Sequence, residues 1–281
     1  MIKSREIQQI SNREKVRPQQ IQKDYVISWI LWGISNNDLL KNVLIFKGGT
    51  CLKKVHIEDY RYSEDMDFTL SPDDVSDDDI YIAFENVFED IKDAINMELS
   101  ILDDEIGTHE GTGSIHFYIR YVGPLGGQKD SIKVDITRGE VLIFDVEEKG
   151  VLHEYTDLEE EEDENGRFKI KCYDLKEVII EKMAALMGRT TPRDLYDFDY
   201  ITNTESIDLE DVIFEFERKA EHKGHIYTEF SEKVKSKETT LKKAWNNSLQ
   251  HQIKDLPKFK DIWRGVKKQL RKFDKIIEKG S

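Results

Sequence analysis

The chain has 281 residues, 35% of them charged and 38% apolar, and carries a formal net charge of −15. That balance suits one large or two modest folded domains. It excludes a uniformly basic nucleic-acid binder, though not a local basic groove. Two cysteines, no signal peptide and no run of about eighteen apolar residues lead to the expectation of a cytoplasmic protein without a disulfide framework or membrane span.

Residues 1–18 are polar and mixed in charge, which fits a mobile arm or a short surface helix. In residues 19–40 the positions Ile21, Tyr25, Ile27, Trp29, Ile30, Leu31 and Ile34 predict a helix with a broad buried face. Asp24 and Tyr25 on it are read first as structural. The apolar run 43–46 is a buried strand or helix end, followed by Gly48-Gly49-Thr50 and then by Leu52, Val55 and Ile57. A tight turn opening a new helix is expected. Two successive residues without Cβ let backbone approach a ligand, and the first amides of a helix favour phosphate. Taken alone, Gly-Gly-Thr reads first as a plain turn. Cys51 beside it reads as a small buried filler, with a reactive thiol as the alternative.

In Asp65-Met66-Asp67-Phe68-Thr69-Leu70 the period is two, so both carboxylates share one strand face. Like charges there repel, which a divalent cation would relieve, since magnesium takes hard oxygen ligands. An exposed strand in an acidic protein is the plainer reading. A helix follows, capped by Ser76 or by Asp77 to Asp79, with Ile80, Phe84, Val87, Phe88, Ile91 and Ile95 as its apolar stripe. A loop spans 107–113. The alternating stretch 115–122 and the stretch 131–137, joined by Pro124 and Gly126-Gly127, read as a hairpin. In its second strand Ile132, Val134 and Ile136 face inward, while Lys133, Asp135 and Thr137 lie opposite. Asp135 is the candidate third acid, completing a cluster suited to in-line phosphoryl transfer.

Arg138 either meets a triphosphate or neutralises nearby carboxylates. A further strand is expected over 141–144, and the acidic run 159–164 reads as a solvated loop or as a shield for a basic patch. The domain boundary is placed there, giving an α/β domain over residues 1–160 and a mainly helical one over 161–281. Phe168, Ile170 and Cys172 mark a short strand. From Asp174 the pattern turns helical, with Leu175, Val178, Ile179, Met183 and Leu186 inside and Lys182 at the edge of that stripe. Lys182 either snorkels or offsets triphosphate charge. Gly188 ends the helix, and Thr191-Pro192-Arg193-Asp194 starts the next as N-cap, N1, N2 and N3, with Asp197 one turn beyond Asp194. Helices are expected over 207–220 and 230–249. The basic C-terminal stretch, with Lys260, Arg264, Lys267, Lys268 and Arg271 set against Phe259, Trp263, Val266, Leu270 and Phe273, forms an amphipathic helix. Its cations are ordinary surface charge or a site for RNA phosphate. The seven histidines show no zinc-like spacing with the cysteines.

Lys47-Gly48-Gly49-Thr50 with Leu52 and Lys53, then Arg61-Tyr62-Ser63-Glu64-Asp65-Met66-Asp67-Phe68, resembles the signature of the AbiEii/AbiGii nucleotidyltransferase toxins. These belong to the DNA-polymerase-β-like superfamily. Lys182 and Arg193-Asp194-Leu195-Tyr196-Asp197 resemble that family's later motifs. The resemblance implies a polymerase-β-like α/β core with a mixed sheet, and a helical C-terminal domain closing its cleft. It implies transfer of an NMP from an NTP to a hydroxyl, with Asp65, Asp67 and Asp135 as ligands for Mg²⁺ or Mn²⁺. Lys47, Gly48, Gly49, Thr50, Lys53, Arg61, Ser63, Lys182, Arg193 and Asp194 would contact the nucleotide, and Asp197 would orient Lys182 or receive a proton. The expected acceptor is RNA, the tRNA 3′ end above all, and the expected partner is a cognate antitoxin acting with or without stable contact. Protein nucleotidylation and a non-catalytic RNA- or antitoxin-binding shell are the alternatives.

Overall fold

The computed structural model describes residues 1–108, 112–127, 130–161 and 166–280, and their contacts divide into two units. The first comprises Met1–Glu140 with Val146–Tyr173, and the second comprises Val141–Asp145 with Asp174 onward. The division falls later than residue 160 because the strand at Lys169–Tyr173 hydrogen-bonds into the sheet of the first unit. Residues 162–164 of the acidic run, 109–111 of the expected 107–113 loop, and 128 and 129 of the hairpin connection lie outside the described residues.

In chain order the first unit runs α1 (Ser4–Glu14), α2 (Pro18–Asn36), α3 (Leu40–Val43), β1 (Leu44–Lys47), α4 (Gly48–Cys51), a π-helical turn (Leu52–His56), β2 (Met66–Leu70) and α5 (Asp77–Ile95). It continues with β3 (Leu99–Ile101), β4 (Gly107–Thr108), β5 (Ile115–Tyr121), β6 (Asp130–Thr137), β7 (Val146–Gly150), α6 (Thr156–Glu159) and β8 (Lys169–Tyr173). The N-terminal arm is therefore a helix. Its Ile7 and Ile10 are buried, so an apolar spacing of three anchors a segment that reads as polar.

Among the described residues, eight strands form one mixed sheet in the order β3-β5-β6-β2-β1-β8-β7, with β4 on the flank of β5. The β2–β6 and β1–β8 pairs are parallel, and the others are antiparallel. Period-two alternation decides which face is dry. Met66, Phe68, Phe117, Ile119, Ile132, Val134 and Ile136 are buried, and Phe84 of α5 meets Phe117 edge-on at 5.1 Å between centroids. The opposite face carries Asp67, Asp135 and His116.

The expected strand over 141–144 does not form. The backbone N–H groups of Ile143 and Phe144 both donate to Glu177 Oε2 at 2.9 Å, so those amides are satisfied by a side chain rather than by a ladder. The strand lies just beyond, at β7.

The second unit holds α7 (Leu175–Gly188), α8 (Pro192–Asn203), α9 (Ile213–His222), α10 (Phe230–Ser236), α11 (Glu238–Leu249) and α12 (Phe259–Gly280). Asp174 caps α7 by accepting from the N–H of Lys176. Thr191 stands at the N-cap of α8 without a side-chain capping bond, and Pro192 occupies N1. The helix expected over 230–249 breaks at Lys237, whose ammonium donates to the carbonyls of Leu186, Met187 and Arg189 at the end of α7. Phe198, Phe216 and Phe273 surround Phe230 at centroid distances of 5.7, 5.3 and 5.2 Å.

A buried ion pair fixes α2 to the π-helical turn. Lys54 Nζ donates to Asp24 Oδ2 at 2.6 Å and to Ser28 Oγ at 2.9 Å, and Tyr155 Oη donates to the same Asp24 oxygen at 2.7 Å. Burial pushes the Asp24 carboxyl up, but the charges of Lys54 and Lys53 and the hydrogen bonds from Lys54 and Tyr155 together hold it below its ordinary value. Burial draws Lys54 itself down to about 8. Asp24 and Tyr25 thus have the structural role expected of them, Tyr25 Oη donating to Asp157 at 2.7 Å. Lys54→Ala strands a charge in the core, and a loss of about 3–5 kcal/mol in equilibrium urea unfolding is expected.

Candidate active site

All four residues of β1 are buried, and the chain then turns at once into α4 through Gly48, whose φ is +79°. That conformation suits glycine, and space demands it as well. A Cβ at Gly48 would stand 2.3 Å from Asp67 Oδ2, and one at Gly49 would stand 2.5 Å from Arg61 Nη2. The missing side chains therefore let the turn press against a carboxylate on one side and a guanidinium on the other. Thr50 Oγ1 donates to the backbone carbonyl of Asp65, tying the turn to the segment that leads into β2.

Register then aligns the acids. Lys47 of β1 is opposite Asp67 of β2, Asp67 is beside Asp135 of β6, and Asp135 is opposite His116 of β5. Side chains at matched positions share a face, so a row Lys47–Asp67–Asp135–His116 crosses four strands. Lys133, two residues before Asp135 on the same face, gives its ammonium to both oxygens of Asp135 at 2.9 and 2.7 Å. Burial lowers the Lys133 pKa, but its bond and charge interaction with Asp135, with smaller contributions from Tyr118 and Asp65, raise it overall. One ammonium thus feels Asp65 and Asp135 together. The carboxylates present the hard oxygen donors a magnesium-class ion needs, and they already attract a cation.

The remaining expected nucleotide contacts divide. Lys47 Nζ donates to Thr137 Oγ1 at 3.1 Å and lies 3.6 Å from Glu140. Lys53 donates to the carbonyl of Tyr60 at 3.3 Å and stacks 4.0 Å over the Tyr62 ring. Arg61 is buried against the glycine turn and donates to the carbonyl of Tyr62 at 3.3 Å. Ser63 is buried, and its carbonyl accepts from Gln20 Nε2 at 3.3 Å. Arg138 donates to the carbonyls of Asp73 and Val75 and to Asp77 Oδ1. Of its two expected roles, the pairing with acid is the one on view.

In the helical unit Lys182 Nζ lies 3.1 Å from Asp194 Oδ1 and 2.8 Å from Asp197 Oδ2. One turn of α8 brings both acids to the same lysine. Arg189 also binds Asp194, through Nε at 2.7 Å and Nη2 at 3.0 Å. Arg193 is half-buried at the second position of α8. Two cations escaped the sequence reading as site members, Lys133 and Arg189. Lys133 had a signal, since its period-two spacing from Asp135 puts both on one face.

Spacing along the chain also hid a soft-donor cluster. Cys51, His56 and Cys172 offer two sulfurs and a ring nitrogen that all lie within 4.8 Å of one another. The histidines and cysteines show no zinc-like spacing along the chain, and it is β1–β8 pairing that brings Cys172 to the helix that follows the glycine turn. Both cysteines are free and buried, as the filler reading of Cys51 has it. Among the described residues no helix is long and apolar enough to cross a membrane.

Residues 29–279 match the family described as the nucleotidyl transferase AbiEii toxin of type IV toxin–antitoxin systems. No curated protein matches the sequence. Among solved structures the chain is similar to MenT4, a nucleotidyltransferase toxin of Mycobacterium tuberculosis, at 18% identity and a TM-score of 0.54, over 78% of this chain and 69% of that one. It is similar also to JHP933 of Helicobacter pylori, at 15% identity and a TM-score of 0.56, over 94% and 96% of the two chains. At such identities the likeness is one of fold: a mixed α/β core followed by a mainly helical region.

Asp194 supplies a pH test. Burial raises its carboxyl pKa, but Lys182 and Arg189 outweigh burial and hold it below 3.8. A depressed folded pKa contributes stability that is complete above the unfolded value and is lost as pH falls through the folded one. Asp194→Asn is therefore expected to lower stability at neutral pH. It should also flatten the fall in urea midpoint expected of the native protein below about pH 4.

Proposed function

Since the chain belongs to the nucleotidyl transferase AbiEii toxin family of type IV toxin–antitoxin systems, we propose that it transfers a nucleoside monophosphate from an NTP to an acceptor hydroxyl and releases pyrophosphate. The observation that carries this is the register of β2 with β6, which sets Asp67 beside Asp135 on the face opposite the core. Asp65, Asp67 and Asp135 are assigned to hold Mg²⁺ or Mn²⁺. Bound there, such a cation supplies positive charge for the acceptor oxygen and for the leaving pyrophosphate.

The chain's own residues do the rest. Gly48 and Gly49 bring backbone close to the phosphates, and Thr50 fixes the turn onto Asp65. Arg61, held against Gly49, contributes charge on the phosphate side. Asp135 takes the acceptor proton, with Lys133 as its resting counter-ion. Lys47, Lys53 and Ser63 are assigned as supports of this pocket, each already anchored to backbone or a neighbouring side chain. Lys182 is assigned to offset nucleotide charge, with Asp197 as its orienter and with Arg193 and Asp194 completing that motif.

RNA is the proposed acceptor, a tRNA 3′ end in the first instance. In α12, Phe259, Trp263, Val266, Leu270 and Phe273 are buried, while Lys260, Arg264, Lys267, Lys268 and Arg271 are exposed. An exposed basic face on a chain of net charge −15 is a local footprint suited to phosphate. A cognate antitoxin is the proposed partner, and the cytoplasm is the proposed compartment.

The test supplies each radiolabelled NTP to total RNA and protein, with and without Mg²⁺. Label is expected in the RNA pool, dependent on the ion and removable from the 3′ end. Asp67→Asn, with circular dichroism unchanged, is expected to lower incorporation by about two orders of magnitude or more. Full activity in that variant rejects the reading, and label confined to protein replaces RNA with a protein acceptor.

A further inference from the structure

The acid row accounts for neither cysteine, nor for His56. Cys51 ends α4, His56 ends the π-helical turn, and Cys172 lies in β8. Both thiols are fully buried. Residues five apart on a regular α-helix point about 140° away from each other. Here the stretch between them is wound as a π turn, closed by the Ile57 N–H to the Leu52 carbonyl at 2.9 Å. Wider winding returns His56 toward the side of Cys51. Such turns are rare and recur at functional sites.

The hydrogen bonding of His56 matches that of a metal-binding imidazole. Its Nε2 lies 2.8 Å from the carbonyl oxygen of Tyr173. A carbonyl only accepts, so Nε2 carries the hydrogen and Nδ1 keeps its lone pair. A bond from the second ring nitrogen to backbone is the usual way a metal-binding imidazole is held. Nδ1 in turn faces a cation, the Lys149 ammonium at 3.2 Å. That ammonium also pairs with Glu147 at 2.6 Å, and Glu147 is the register partner of Cys172 across β7 and β8. Lys149 therefore has a carboxylate to keep if another cation takes its place beside His56.

We propose that Cys51, His56 and Cys172 form a site for a thiophilic divalent cation of the zinc class, clamping the helix of the glycine turn to β8. Two sulfurs and an imidazole nitrogen suit such an ion, and three protein ligands leave a fourth position for water or a carboxylate. The same donors are wrong for magnesium, which takes oxygen, so this site is separate from the acid row. Charge favours it too, since two thiolates balance one divalent cation where burial penalises any net charge. Loading would hold Cys51, and with it the adjacent Thr50 that anchors Asp65, against the sheet.

The whole protein, freed of metal by chelation under reducing conditions, is titrated with Co²⁺ and followed by absorption. Sulfur-to-cobalt charge-transfer and tetrahedral ligand-field bands are expected to saturate at one equivalent and to be displaced by Zn²⁺. They should persist in Asp67→Asn and weaken by at least about tenfold in apparent affinity in Cys172→Ser and Cys51→Ser. If those variants fail to fold, the wild-type titration still decides. Absence of the charge-transfer band overturns the proposal, as does an isolated protein whose mass shows Cys51 and Cys172 joined as a disulfide.

Discussion

Two strands that are neighbours in space but distant in sequence, β2 and β6, pair in parallel with Asp67 beside Asp135. Much of the arrangement around them follows from that contact. Carboxylates at adjacent positions on one sheet face repel, and a sheet would not place them there for stability. The fold contains the repulsion in two ways. The Lys133 ammonium lies against Asp135, and the turn at Gly48 brings backbone to within contact of Asp67, where any side chain would collide. The acids are thus fixed by the same core that Phe68, Val134 and Ile136 fill from behind. Moving the pairing by one residue would turn the acids inward and those side chains outward, which burial forbids.

Position is maintained from a second side as well. Asp24 and Lys54, both deep in the interior, bind α2 to the turn that follows α4. A buried pair of this kind adds little net stability but penalises any arrangement that separates its members. The helical unit uses the same device twice. Lys182 sits between Asp194 and Asp197, and Lys219 pairs with Glu177 at 2.8 Å while also donating to the carbonyl of Val141. Glu177 in turn takes the amides of Ile143 and Phe144, which is why five residues between two strands belong to the helices.

Local pattern made much of this legible. Alternation in 115–121 and 131–137 announces strands, Ser76 and Asp174 announce helix starts, and Gly48 announces a turn, because each signal is a property of a few adjacent residues. What failed depends on distant partners. Val141 to Phe144 is apolar enough to read as a strand, and only Glu177 explains why it is not one. The break at Lys237 is invisible in the helical periodicity, and so are the three distant carbonyls at the end of α7 that its ammonium reaches. The Cys51–His56–Cys172 cluster has no spacing to betray it, because one member comes from a strand that reaches it by pairing with β1. Asp135 was accessible only as a candidate. Its face could be read, but its neighbour could not.

Since every chemical assignment rests on the acids acting as one ligand set, the direct test is to find the ion. Crystals grown with Mn²⁺ and a non-hydrolysable NTP, measured at the manganese absorption edge, would show where it binds. An anomalous peak is expected, coordinated by Asp65, Asp67 and Asp135, with the Lys133 ammonium moved off Asp135. A peak elsewhere, or nucleotide bound with those three carboxylates uncoordinated and Lys133 still in place, would contradict it.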